Sequence, residues 1–367
     1  MKRNMCLAVV VVSLVMCAFG TSATVIYWCN GDYGLKAIAG TVRSLDLNDA
    51  GTLGPSTPVA DWNTTQTAYP RGIDLAWLIT RDLPVSPVLF WGCFWDDTIC
   101  AYALGSSTLP ATQCVVEGYG AYHSRVAGPQ DIAVAYDRAV GKFYLYWTNT
   151  DDTIRRCPIE AVPQPATIVA NSLRSGVSDP AGLEVVGDRI YWVNRGDMTI
   201  RYCPVADSPQ ASFPVTDDKS GLIDVWDIKI AEGWVYWADS QRNVILRGPI
   251  PTRPGDVLQA KDISEVANAS ISEVSRPFGL WLSAPRIAES VPADIYWTNW
   301  GDQTIRVARV PAVGEDPKIS AKVADGPNSQ VHNPTYLTVR EDTYSIELIL
   351  RHMTQDSEGV SGGATSE

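Results

Sequence analysis

Apolar and polar positions along much of the chain alternate in short runs separated by turn-forming residues. Six runs contain an aromatic pair: Tyr27-Trp28, Phe90-Trp91, Tyr146-Trp147, Tyr191-Trp192, Tyr236-Trp237 and Tyr296-Trp297. Successive Trp positions differ by 63, 56, 45, 45 and 60 residues. The shortest spacing suits one blade of four short strands, about 40–45 residues, with loop insertions supplying the rest.

A polar turn follows most pairs and leads into a new apolar run that opens on Ile, as in Trp147-Thr-Asn-Thr-Asp-Asp-Thr-Ile154, Trp192-Val-Asn-Arg-Gly-Asp-Met-Thr-Ile200 and Trp297-Thr-Asn-Trp-Gly-Asp-Gln-Thr-Ile305. Asn, Gly and Asp gathered where the chain reverses predict a β-hairpin. Ahead of each pair but the first stands a partner element: Pro70-Arg-Gly-Ile-Asp-Leu75, Pro129-Gln-Asp-Ile-Ala-Val134, Pro180-Ala-Gly-Leu-Glu-Val185, Val225-Trp-Asp-Ile-Lys-Ile230 and Pro277-Phe-Gly-Leu-Trp-Leu282. A sixth copy, Pro334-Thr-Tyr-Leu-Thr-Val339, has no aromatic pair after it. A ring accounts for both gaps. The C-terminal strand around Leu337 completes the blade that begins at Tyr27, which also removes exposed sheet edges. The expectation is one all-β domain, a closed six-bladed β-propeller of four-stranded antiparallel blades. Long loops are expected near 44–69, 105–128, 206–222 and 251–275, and Tyr344–Leu348 is the one segment that could add a strand.

The repeated motif resembles the YWTD, or LDL-receptor class B, repeat, and the resemblance covers roughly residues 25–340. It implies a six-bladed propeller. The fourth motif residue is Asn30, Asn149, Asn194 and Asn299, with Asp239 as the usual Asp, and no Cys-dense modules flank the repeats.

The chain has 367 residues, with 46% hydrophobic and 19% charged, so a large core is possible and global disorder is not expected. The 13 Trp and 15 Tyr against 6 Phe now have a cause: blades diverge from the ring axis, and large aromatics fill the widening wedge. A formal charge of −12 argues against nucleic acid, which calls for a basic face, and suits a partner of basic character. Lys2 and Arg3, an apolar run from Met5 to Phe19 and then Gly20-Thr-Ser-Ala23 follow the order of a secretory signal peptide. The expected organisation is therefore a signal peptide at 1–23, the propeller at 24–345 and a polar flexible tail at 346–367. A secreted, extracellular monomer with no membrane span after cleavage is expected.

Tips of equivalent hairpins share one face of a propeller. Here they carry Asp32, Asp96, Asp97, Asp151, Asp152, Asp197 and Asp302, with Trp95 and Trp300 among them. One reading is an acidic, partly aromatic surface for a protein or glycan ligand. The plainer one is that Asp favours turns. Cys93 and Cys100 flank one tip and could form a disulfide or remain buried thiols. Cys157 and Cys203 are expected as buried apolar residues. Asn63-Thr-Thr65 and Asn268-Ala-Ser270 match the glycosylation acceptor pattern.

No cofactor is expected and catalysis finds little support. No G-x-S-x-G, H-E-x-x-H or P-loop is present, and the three His have no metal-ligand spacing. The alternative is a metal-dependent propeller hydrolase, similar to lactonases and phosphotriesterases, with Asp74, Asp131, Glu184 and Asp227 around the channel. Alternation along the inner strands is expected to turn Asp74 and Glu184 away from Asp131 and Asp227.

Overall fold

The computed structural model describes residues 24–31, 40–47, 55–65, 67–80, 83–104, 113–117, 125–159, 166–283 and 293–341. The signal segment, Asp32, Tyr344–Leu348 and the tail lie outside the described residues. Those described form six four-stranded antiparallel sheets, each assembled from strands consecutive in sequence except the first.

Blade 1 joins β1 (Thr24–Asn30), β2 (Thr41–Asp46) and β3 (Thr57–Asp61) to β24 (Pro334–Glu341), which is its innermost strand. Blade 2 holds β4 (Pro70–Thr80), β5 (Leu83–Cys93), β6 (Thr98–Ala103) and β7 (Gln113–Glu117). Blade 3 holds β8 (Ile132–Asp137), β9 (Lys142–Asn149), β10 (Thr153–Pro158) and β11 (Thr167–Asn171). Blade 4 holds β12 (Pro180–Val186), β13 (Arg189–Asn194), β14 (Thr199–Pro204) and the two-residue β15 (Phe213–Pro214). Blade 5 holds β16 (Val225–Ala231), β17 (Trp234–Asp239), β18 (Val244–Pro249) and β19 (Ser264–Asn268). Blade 6 holds β20 (Pro277–Leu282), β21 (Asp294–Asn299), β22 (Thr304–Arg309) and β23 (Ala321–Asp325). The inner strands touch in a closed cycle, β24, β4, β8, β12, β16, β20 and back to β24. Ile26 pairs with Val339 and Trp28 with Leu337, so the two ends of the chain do meet in one blade.

The aromatic pair builds the interfaces by strand alternation. Neighbours in a strand point to opposite faces, so within each pair the first ring packs forward onto the next blade and the Trp packs back. Tyr27 shares a core with Trp91, Phe90 with Trp147, Tyr146 with Trp192, Tyr191 with Trp237, Tyr236 with Trp297 and Tyr296 with Trp28. All six Trp side chains are fully buried.

Each of the four long loops expected from the sequence contains an outermost strand: β3, β7, β15 or β19. These strands are short, and β3, β15 and β19 are only partly buried, so their alternation is too weak to read. The outermost strands β11, β19 and β23 each end on a residue that caps a four-residue helix. The side-chain oxygens of Asn171, Asn268 and Asp325 accept from the backbone N–H of Arg174, Ile271 and Asn328 at 2.9 Å each. The last helical residue, Ser175 or Ser272, then clamps the following blade. Ser175 Oγ donates to Gln210 O and Ser212 Oγ to Ser175 O, while Ser272 Oγ donates to Lys318 O and Ser320 Oγ to Ser272 O. Arginines of the third strands complete the relay, with half-buried Arg201 donating through Nε to Ser212 Oγ and buried Arg306 through Nε to Ser320 Oγ, each at 2.8 Å.

The Asn two residues after the Trp is a hub. In blades 1, 4 and 6 the Oδ1 of Asn30, Asn194 and Asn299 accepts the indole N–H of Trp28, Trp192 and Trp297 at 3.0, 2.7 and 3.0 Å. Their Nδ2 groups donate to the carbonyls of Gln330, Gly176 and Glu273 in the entering connector. A carboxylate could accept the first bond but not make the second. In these three blades the amide therefore makes a bond that an aspartate could not.

Candidate functional site

Each inner strand starts beside the end of the second strand of its blade, as in the pairs Pro70–Cys93, Pro180–Asn194 and Pro277–Asn299. The start of the inner strand and the following hairpin tip therefore share one face, and this face surrounds one mouth of the central channel.

Most of the tip aspartates expected there are engaged within the protein. Asp97 and Asp152 adopt left-handed backbone, with φ of 52° and 57°, and close their hairpins. Their carboxylates accept from the next blade, from Gly128 N at 2.6 Å and Asp179 N at 2.7 Å. Asp151, Asp197 and Asp302 accept from the hydroxyls of Thr153, Thr199 and Thr304 two residues on. Trp300 lies under the Arg276 guanidinium, 4.1 Å from the ring centroid. The turn chemistry of Asp accounts for these positions. Trp95 and Asp96 differ: both are exposed, and Trp95 is 62% exposed.

The channel mouth carries an array that sequence reasoning missed. Tyr336 meets Phe278 edge-on at 5.4 Å, and Phe278 stacks on Trp226 at 4.4 Å. Arg195 covers Trp226 at 3.6 Å and pairs with Asp179. The Arg71 guanidinium lies within 6.0 Å of four rings, Tyr69, Phe94, Trp226 and Phe278, and donates to Gln130 Oε1. Tyr69 and Phe94 in turn contact Trp95, with centroids 5.9 and 5.2 Å apart. Arginine over aromatic rings is favourable because the guanidinium is planar and weakly hydrated. The signal was present in the sequence: the second position of the partner element reads Arg71, Gln130, Ala181, Trp226, Phe278 and Thr335, far less uniform than its neighbours.

The expectation for the channel carboxylates is corrected. Asp74 and Glu184 occupy the fifth position of the partner element, and Asp131 and Asp227 the third. Two residues apart is one full strand period, so all four face the channel. Asp74 Oδ1 accepts from Leu75 N and its Oδ2 from Val134 N; Asp131 does the same with Ile132 and Leu183, and Asp227 with Ile228 and Leu280, all at 2.7–2.8 Å. Each carboxylate thus stitches its inner strand to the next. Lys229 supplies the cation, with Nζ 3.1 Å from Glu184 Oε2 and 3.8 Å from Asp227 Oδ1. Burial raises Asp74 and Asp227 to about 6, against the pull of backbone N–H groups and Lys229. Burial and the nearby Asp227 charge hold Asp131 well above the usual carboxylate range. Burial opposes the Lys229 ammonium, yet Asp227, Glu184, Asp131 and Asp74 together raise its pKa.

These groups do not fit a divalent metal. The three aspartates spend both oxygens on backbone donors, and an ammonium already sits among them. Among the described residues no group of three or more His, Cys, Asp or Glu is placed to hold a metal ion.

Cys93 and Cys100 are buried thiols with Sγ atoms 3.7 Å apart. Cys157 and Cys203 are buried as well, and burial pushes each up to about 12. Asn63 is exposed on the helix Trp62–Thr65, whereas Asn268 is a half-buried cap whose Nδ2 donates to Glu265.

No protein-family model matches the chain, and no curated protein does so by sequence. Solved structures match in fold. A chain of a nidogen/laminin complex superposes with a TM-score of 0.57 at 13% identity, over 86% of this chain and 98% of that one. A protein from Lactobacillus plantarum gives 0.51 at 17% identity, over 84% and 85%. A 6-phosphogluconolactonase-like protein from Bacteroides fragilis gives 0.49 at 13%, over 87% and 98%. At these identities the likeness shows the architecture alone: the chain is a six-bladed β-propeller of four-stranded antiparallel blades, closed by its own C-terminal strand.

Proposed function

We propose that the protein is a secreted binding or scaffolding propeller that engages a protein partner through its hairpin-tip face. The observation that carries this reading is the exposed Trp95, held on the tip face against Tyr69 and Phe94, with the half-buried Arg195 over Trp226 beside the channel mouth. Tyr, Trp and Arg dominate binding hot spots because they bury large area at little cost in conformational freedom. The propeller of the nidogen/laminin complex, which shares the fold, comes from an assembly of two proteins.

A paired surface scan tests the proposal. Arg195→Glu and Trp95→Ala alter the tip face, while Arg138→Glu and Glu232→Arg alter turns on the opposite face. Binding to an extracellular partner isolated with the wild-type chain should fall with the first pair and persist with the second. The reverse pattern would reject the tip face.

A further inference from the structure

The tip of blade 2 departs from its equivalents in a way that its own folding does not require. Aligned on the strand ends, the second and third tip residues are Gly196-Asp197 in blade 4, Gly301-Asp302 in blade 6 and Gln241-Arg242 in blade 5, but Trp95-Asp96 in blade 2. In blades 4 and 6 the glycine lies in close packing against a serine of the entering connector. A Cβ would lie 2.1 Å from Ser178 Oγ at Gly196 and 2.4 Å from Ser275 Oγ at Gly301. The Asp that follows is consumed by Thr199 or Thr304. In blade 2 the chain instead exposes an indole beside a carboxylate, and among the described residues Asp96 makes neither a hydrogen bond nor an ion pair. Local rules broken without a local gain mark functional positions.

The exposed ring is also held in place. Phe94 meets it edge-on at 82° and Tyr69 at 49°, so its position is set before any ligand arrives. Partial burial and the neighbouring Asp97 raise the Asp96 pKa, the signature of a carboxylate lacking a cation. The same face shows what such rings accept. Arg276 covers Trp300 at 4.1 Å, Arg71 covers Phe94 at 4.8 Å and Arg195 covers Trp226 at 3.6 Å. The aromatic rings beneath are thus already occupied by the chain's own guanidinium groups.

We propose that Trp95 and Asp96 form a receptor for an arginine side chain of a protein partner, with the guanidinium laid on the indole and hydrogen-bonded to the carboxylate. A planar guanidinium can do both at once, which a lysine ammonium does less well. The net charge of −12 favours the approach of a basic segment to the protein as a whole. The inference rests on the tip-face reading given above.

The test uses the full chain and a dye-labelled twelve-residue peptide of alternating Arg and Gly, read by fluorescence anisotropy. A control peptide carries citrulline, whose planar ureido group keeps the shape of arginine but is uncharged and has an acceptor oxygen in place of one NH2. The Arg peptide should bind, and the citrulline peptide should bind at least about tenfold more weakly. Trp95→Ala and Asp96→Asn should each weaken Arg-peptide binding about tenfold, while Asp302→Asn leaves it unchanged. Both residues are exposed, so unaltered thermal unfolding will confirm that the variants fold. Equal binding by the wild type and both variants would overturn the arginine site, as would no saturable binding up to millimolar peptide. A natural partner that needs Arg195 but tolerates both substitutions would remove the arginine site while leaving the tip face in place. A partner lost only on substitution at the opposite face would remove both.

Discussion

The Lys229 ammonium lies 3.1 Å from the Glu184 carboxylate across the inner strands of blades 5 and 4, inside a channel that also holds Asp74, Asp131 and Asp227. This one cation keeps four carboxylates tolerable in a confined space. Lys229→Met should cost about 1–3 kcal/mol at neutral pH, less than for a fully buried pair because both partners are partly exposed. Denaturant unfolding at pH 7.5 checks this, and a variant as stable as the wild type would contradict it.

The same cluster sets a pH dependence. Asp74 and Asp227 titrate at about 6 in the folded chain, against about 3.9 for an unfolded Asp. A raised carboxylate binds more protons folded than unfolded, so its contribution to stability grows as pH falls from above 6 toward 4. Lys229→Met should recover more stability than the wild type between pH 7.5 and pH 5. Thermal unfolding at the two pH values measures the difference, and an equal response in both chains would refute the coupling.

Gly182 and Gly187 make a matched pair. A Cβ on Gly182 would lie 2.6 Å from Asp227 Cα, backbone against backbone at the inner ring, whereas Gly187 has open space but a φ of +61°. Gly182→Ala should destabilise by about 3 kcal/mol or more through overpacking, and Gly187→Ala by about 1 kcal/mol through backbone strain alone. Equal effects in urea unfolding would show that the blades are not in contact there.

Asn194 holds the Trp192 indole N–H at 2.7 Å and the Gly176 carbonyl at 2.6 Å. Asn194→Ala should cost about 2–3 kcal/mol by stranding both groups. Asn194→Asp keeps the acceptor but loses the donor and sets a buried carboxylate against the Gly176 carbonyl and Asp197, so it too should destabilise at neutral pH. An aspartate variant as stable as the wild type would argue that donation by Asn194 contributes nothing.

Cys93 and Cys100 face each other at 3.7 Å in the hairpin that carries Trp95. In protein collected from an oxidising medium they should be linked. Alkylation under denaturing conditions without reductant, then cleavage before Asp96, should release the two flanking peptides as one disulfide-bonded species. Full alkylation of both thiols would show that they stay reduced.

The blade number and ring closure were legible because Tyr27-Trp28 and its five counterparts repeat with a partner element on a strict strand alternation. The outermost strands were not. Phe213–Pro214 is two residues long, and a segment so short and so weakly buried carries no period. The direction of Asp74 and Glu184 was misread although it was available, since it needed only the two-residue offset within the partner element to be counted. The tip aspartates were visible as turn residues, but nothing in their spacing separated Asp96 from Asp197 or Asp302.

The sequence alone determined the architecture of this protein, because burial of one indole per blade is a local, periodic requirement that survives large loop insertions. Which polar groups remain for a partner was decided only by the tertiary structure. Asp97 is satisfied by Gly128, 31 residues away, and Trp300 is covered by Arg276, while among the described residues Trp95 and Asp96 meet no such neighbour. Availability for binding depends on what the adjoining blade supplies, and that is a property of the closed ring.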